Sequence, residues 1–199
     1  MALTQGHEVL CCDRNRRGGL KTIYLVDKDQ IDTIVYDATA NKYTSFMTDD
    51  LYNFQFDRYT GGFDANATRE NGSTVVNVQL NFYIPKVTAK VNKTLNTLSK
   101  TCGVIAIVET YADDCVEPTA STYHFVLGYD EVFKFDAYLD FVSAEESTGV
   151  ALQDANGAQI ALGGDAAMFP AELLVGTGGV AITANASGDV EDAYTIAAA

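Results

Sequence analysis

The sequence predicts a mainly β protein, an antiparallel β-sandwich or barrel with a long hairpin and one flanking α-helix. Three observations predict it. Thr74, Val76, Val78, Leu80, Phe82 and Ile84 alternate with Val75, Asn77, Gln79, Asn81 and Tyr83, a period of two that makes a long strand with one apolar face. After Pro85 the period changes, because Val87, Val91, Leu95, Leu98 and Cys102 recur at helical spacing. Strand patterns then resume. Strands on both sides of a single helix indicate an antiparallel fold rather than a βαβ arrangement.

The elements follow in chain order. Leu20 to Val26 and Ile31 to Tyr36 are β-rich runs separated by the acidic stretch Asp27 to Asp32, which predicts a first hairpin. Asp27, Asp29 and Asp32 suggest a calcium loop, but Asp32 stands where an EF-hand needs glycine and Ala38 where it needs glutamate. Tyr52, Phe54 and Phe56 alternate with Asn53, Gln55 and Asp57. This segment is expected to pair with the strand at 74–84, with Thr60 to Ser73 as the connection through Gly61-Gly62 and Asn71-Gly72.

The wet face of that hairpin would carry Asn53, Gln55, Asp57, Asn77, Gln79 and Asn81, five amides and one acid. Solvated strand faces commonly bear lysine and glutamate, and asparagine is a poor strand former. Two readings stand: an ordinary wet face, or one selected for something besides solubility.

The helix is expected to start near Pro85 and stop at Gly103, with Lys86, Lys90, Lys93 and Lys100 beside its apolar stripe and Cys102 as a core thiol. Further strands are predicted at Val104 to Tyr111, Tyr123 to Leu127 and Val132 to Phe141. A closing hairpin follows, from Gly149 to Asp154 through Asn156-Gly157 to Ala158 to Leu162. From Pro170 the chain is rich in Ala, Gly, Thr and Val with little aromatic content. The expected organisation is one β domain over 1–169 and a C-terminal extension or arm over 170–199.

At 199 residues, 47% apolar and 20% charged, the chain can bury a full core. The net charge of −14 is unevenly placed: residues 1–100 hold 12 Lys and Arg against 11 Asp and Glu, while 101–199 hold Lys134 alone against 16 acids. Phosphates would be repelled by the second half, and unlike halves permit head-to-tail contact between identical subunits. No apolar run approaches the roughly 18 residues of a membrane span, and Met1 to Gly6 does not resemble a signal peptide, so folding in a cytoplasm is expected and no membrane partner. The sequons at Asn66, Asn71, Asn92 and Asn185 are then chance matches. Four cysteines, at 11, 12, 102 and 115, show no paired metal-ligand spacing and are expected to be reduced.

Catalytic signatures do not emerge. There is no nucleophile elbow, P-loop or dinucleotide fingerprint, and histidine occurs only at 7 and 124. His7, Glu8, Cys11, Cys12 and Asp13 crowd five potential ligands together, but adjacent cysteines chelate one ion poorly and no second pair completes a zinc site. Cys115 and His124 are a nucleophile and base that nothing brings together. Asp113-Asp114 and Glu145-Glu146 fall in turn-like stretches, and without tryptophan there is no sugar platform for carboxylate chemistry. No enzyme activity, catalytic residue, metal or cofactor is expected.

Met1 to Gly6, Cys12-Asp13, Gly18 to Tyr24, Glu70 to Ser73, Pro85-Lys86, Ile105 to Glu109, Phe125 to Gly128, Ser147 to Gly157 and Ile160 to Leu162 occur in an order that resembles a phage tail tube protein family of Bacteroidetes-type tailed phages. The resemblance covers about residues 1–170. It departs from the pattern in the longer, acidic stretch Tyr111 to Thr122 and in the segment from 170 onward.

The resemblance implies a virion protein of the tail, assembled in the bacterial host cytoplasm. Its subunits would form hexameric rings that stack into a tube, with long hairpins combining into an inner β-barrel and the helix outside. Partners would be further copies, other tail proteins, a sheath where the tail has one, and genomic DNA passing through without specific binding. A neck or tail-completion ring, or a capsid-decorating or host-attachment module, is the alternative. The amide-rich face at Asn53, Gln55, Asp57, Asn77, Gln79 and Asn81 would line the channel, because fixed cations there would grip phosphate.

Overall fold

The computed structural model describes residues 19–54, 56, 60–70, 72–111, 122–149, 156–175, 180–184 and 194–198. The described residues form twelve strands in two sheets and one α-helix. The fold class predicted from sequence holds: a β-sandwich, one of whose layers closes into a barrel, with a long hairpin and a flanking helix.

The larger sheet contains β1 (Leu20–Asp27), β2 (Ile31–Asp37), β3 (Lys42–Phe54), β6 (Val104–Tyr111), β7 (Thr122–Leu127), β10 (Glu172–Leu173), β11 (Val180–Ala184) and β12 (Tyr194–Ala198). Its hydrogen bonding runs β1–β6–β7–β10–β3 and returns from β3 to β1, a closed five-strand circuit. Tyr43, Phe46, Leu51, Val26, Ile105, Ile107, Val126 and Leu173 fill its interior. On alternate positions Ile23, Leu25, Ala106 and Val108 face the other way, onto the second sheet. With cores on both faces, β6 is buried over Val104 to Glu109, so its residues form a continuous apolar run instead of alternating.

The smaller sheet is antiparallel, in the order β4 (Gly61–Glu70), β5 (Ser73–Pro85), β9 (Gly157–Ala166), β8 (Asp140–Ser147). Val76, Val78, Leu80, Phe82, Ile160 and Leu162 point into the core shared with the barrel. α1 (Ala89–Leu98) is capped by the Thr88 hydroxyl, which accepts the Val91 N–H at 3.2 Å, and buries Leu98. The chain reaches it through a turn clamped by Asn156, whose carbonyl accepts Lys86 N–H and whose side chain accepts Val87 N–H.

Several sequence expectations need correction. The long hairpin is β4–β5, not 52–57 with 74–84: Glu70 pairs with Ser73 across a tight turn in which Gly72 holds φ at 86°. β1 and β2 are not a hairpin. Asp27 caps a short 3₁₀ turn by accepting Asp29 N–H, and both strands continue along β3, with Leu25 opposite Tyr52 and Ile31 opposite Thr48. The strand expected at 132–141 begins only at Asp140. Upstream, the Asp130 carboxylate and carbonyl take the N–H groups of Val132, Phe133 and Lys134, a local closure that outcompetes a ladder. Helix α1 starts at Ala89, not near Pro85, and Cys102 is exposed, not in the core.

The segment from 170 onward is not appended to a finished domain. β10 sits between β7 and β3 and completes the barrel circuit, and Ala171, Leu173 and Val180 are buried. Ala171, Leu173 and Val180 share a core cluster with Tyr43 and Phe46, so the segment contributes to the core without aromatics of its own there.

Candidate functional site

The outer face of the smaller sheet is the most distinctive surface. Register places Gly62, Asp64, Asn66 and Thr68 of β4 beside Asn81, Gln79, Asn77 and Val75 of β5. These in turn lie beside Ala161, Gly163 and Asp165 of β9, while Gln159 pairs with Tyr83. Ser143 and Glu145 of β8 extend the same face next to Ala161 and Gln159. Asp64, Asn66, Asn77, Gln79, Gln159, Asp165, Ser143 and Glu145 are exposed, and Asn81 is half-buried. Asn77 Nδ2 donates to Asp165 Oδ1 at 3.1 Å across the strands, so amide and acid are mutually ordered.

Among the described residues, these strands place no basic side chain on the face. The four strands contain one basic residue, Arg69, and its pairing with Thr74 gives it the parity of the core-facing Phe63 and Ala65. Elsewhere basic residues are admitted and matched: Lys21 Nζ lies 2.7 Å from Glu109 Oε1, Lys42 Nζ 3.0 Å from Glu172 Oε2, and Lys28 sits 4.2 Å above the Tyr138 ring.

Of the residues expected on this face, Asn77, Gln79 and Asn81 lie together on β5. Asn53 does not join them, because it belongs to β3 in the larger sheet, opposite Tyr24. Gln55 and Asp57 lie outside the described residues. Sequence reading missed Asp64, Asn66, Gln159 and Asp165. The signal was present in the Asn71-Gly72 pair, since a two-residue turn calls for an antiparallel partner immediately upstream, at 61–70. The aromatic alternation at 52–56 drew the pairing away from it.

The other candidates do not converge. Among the described residues no group of three or more His, Cys, Asp and Glu could hold a metal ion. His7, Glu8, Cys11, Cys12, Asp13, Asp113, Asp114 and Cys115 lie outside the described residues, while Glu145 and Glu146 are exposed on β8. His124 sits on β7 opposite Glu109, half-buried. Burial lowers its pKa below the ordinary histidine value and Lys21 adds to the effect, while Glu109 and Glu172 oppose it. A groove of about 770 Å³ between α1 and the β1–β2 corner has acidic Asp27 and Asp29 together with Lys93 and Lys100 in its lining. No described helix is long and apolar enough to cross a membrane.

Compared with protein-family models, curated proteins and solved structures, the chain matches none.

Proposed function

We propose that this protein is a structural virion subunit, a tail tube protein whose copies join side by side into rings that stack around a DNA channel. The observation that carries the reading is the four-stranded sheet that, among the described residues, has no strand beyond β4 or β8 and no basic side chain on its outer face. Strand direction alternates across β4, β5, β9 and β8, so β8 of one copy and β4 of the next are antiparallel when copies repeat around an axis. Such an edge contact is heterologous and generates a ring when the rotation closes. An edge strand with open N–H and C=O groups is a template for this pairing, and β4 carries neither proline nor lysine to block it.

Six copies, the number the family resemblance implies, supply about 24 strands. At about 4.8 Å per strand and a tilt of about 40°, they enclose a cylinder roughly 48 Å across between backbones, which leaves room for a DNA duplex after side chains. An inner wall of amides and carboxylates offers phosphate no counter-charge, so DNA slides without being held. The barrel and α1 then lie outside.

Sedimentation and negative-stain microscopy of the purified chain test the reading. Rings or tubes with sixfold projections are expected; a monodisperse monomer at every concentration contradicts it.

A further inference from the structure

Two loops beside the free edge of β8 are built as an apolar anchor. Asp130 is 3% exposed, and its Oδ1 accepts the N–H groups of Val132 at 2.7 Å and Phe133 at 2.6 Å. Its Oδ2 accepts Ala167 N–H at 2.6 Å, and its carbonyl accepts Lys134 N–H at 2.9 Å. One buried carboxylate thus ties the 130–137 loop to the 167–169 loop with charge-assisted bonds. Phe135 is braced edge-on against Tyr129, with centroids 5.1 Å apart.

This ordering does not bury the loops' own apolar side chains. Val132 is 61% exposed, Phe169 59%, and Phe133 and Phe135 each 39%, four of the seven large apolar residues exposed among the described ones. Tied loops that hold a cluster of apolar side chains in solvent fit an interface core.

We infer that this cluster anchors the lateral contact and that its occupant is a second copy of this chain, at the β4 edge. The inference rests on the ring reading and names the side chains that hold the ring closed. Continuity with the free edge carries it. β8 begins at Asp140, opposite Gly163 and hence level with Gln79 of β5, whereas β4 continues past that level from Asp64 to Glu70, which pairs with Ser73 of β5. A neighbour's β4 laid beside β8 with Asp64 level with or beyond Asp140 projects to the side where both loops lie. On that stretch of β4 the core-facing Ala65 is half-buried and Ala67 exposed, with Phe63 half-buried just before them. The apolar seam left open at one edge meets the apolar cluster at the other.

The test compares the wild-type chain with Phe133→Ser/Phe169→Ser, and places a benzophenone side chain at position 169 for photo-crosslinking. The expected result is an unchanged unfolding midpoint, a critical concentration for assembly raised roughly tenfold or more, and cross-links from position 169 to residues 61–70 of another copy. Phe169→Ser alone serves if the double variant folds poorly. Assembly at the wild-type concentration, or cross-links that avoid 61–70 in assembled protein, would overturn the inference while leaving the ring reading standing. A wild-type chain that never assembles contradicts the ring reading and this inference with it.

Discussion

The closed circuit of the larger sheet and the smaller sheet differ in their edges and in their charges. In the barrel circuit, hydrogen bonds return on themselves, both faces of β6 are covered, and Lys21 and Lys42 are paired with carboxylates. Among the described residues the smaller sheet stops at β4 and β8 with no further strand beside either, and its outer face carries amides and acids among small and neutral residues. Closure removes the aggregation hazard of a free edge within that circuit; β2 and β11 remain edges of the larger sheet, whereas β4 and β8 are the edges that border the amide-rich face. On the proposed reading, the molecule separates what makes it stable from what lets it assemble.

The largest effect should come from opening the barrel. Removing residues 171–199 deletes β10, the link between β7 and β3, along with the buried Leu173 and Val180. Cooperative unfolding is expected to disappear, and Leu173→Ala alone to cost about 2–5 kcal/mol in chemical denaturation. A truncated chain with an unchanged transition would show that the circuit closes without β10.

The next comparison leaves the fold intact and reverses the open sheet's charge character. Asn66→Lys, Gln79→Lys and Gln159→Lys lie on three different strands at exposed positions, and none directly faces another. Folding stability should change by less than about 0.5 kcal/mol for each. Assembled tubes should then retain DNA at low salt and release it as salt rises, unlike wild-type tubes. Equal DNA retention by both would remove the channel role from this face.

The smallest expected effect belongs to the barrel wall. Burial lowers the His124 pKa, so from the ordinary value of about 6.5 down to the folded value the unfolded chain binds more protons. Stability should therefore fall as pH drops through that window, and His124→Gln should flatten this part of the melting-temperature profile. The same slope in both proteins would assign the acid sensitivity elsewhere.

Much of the architecture was legible because burial left a periodic trace. β5 and β6 stand where the pattern put them, and the single helix was visible in the spacing of Val91, Leu95 and Leu98. The errors have local causes. Phe133 and Phe135 alternate as a strand would, but Asp130 captures the backbone there, and no hydropathy period reports a side chain accepting N–H groups. β10 is two residues long, so the link that closes the barrel leaves almost no pattern to read. At the candidate site, the amides of β5 were visible, while their neighbours on β4 and β9 needed the register of a sheet that sequence alone does not order.

A cryo-EM reconstruction of tubes grown from the purified chain shows whether the open sheet faces inward and joins copy to copy. The inner wall should be a continuous antiparallel barrel in which β8 of each copy lies beside β4 of the next, with Asp64, Asn77, Gln79 and Asp165 lining the channel. A map in which the closed five-strand barrel lines the channel, or in which β4 and β8 touch no neighbouring copy, would contradict it.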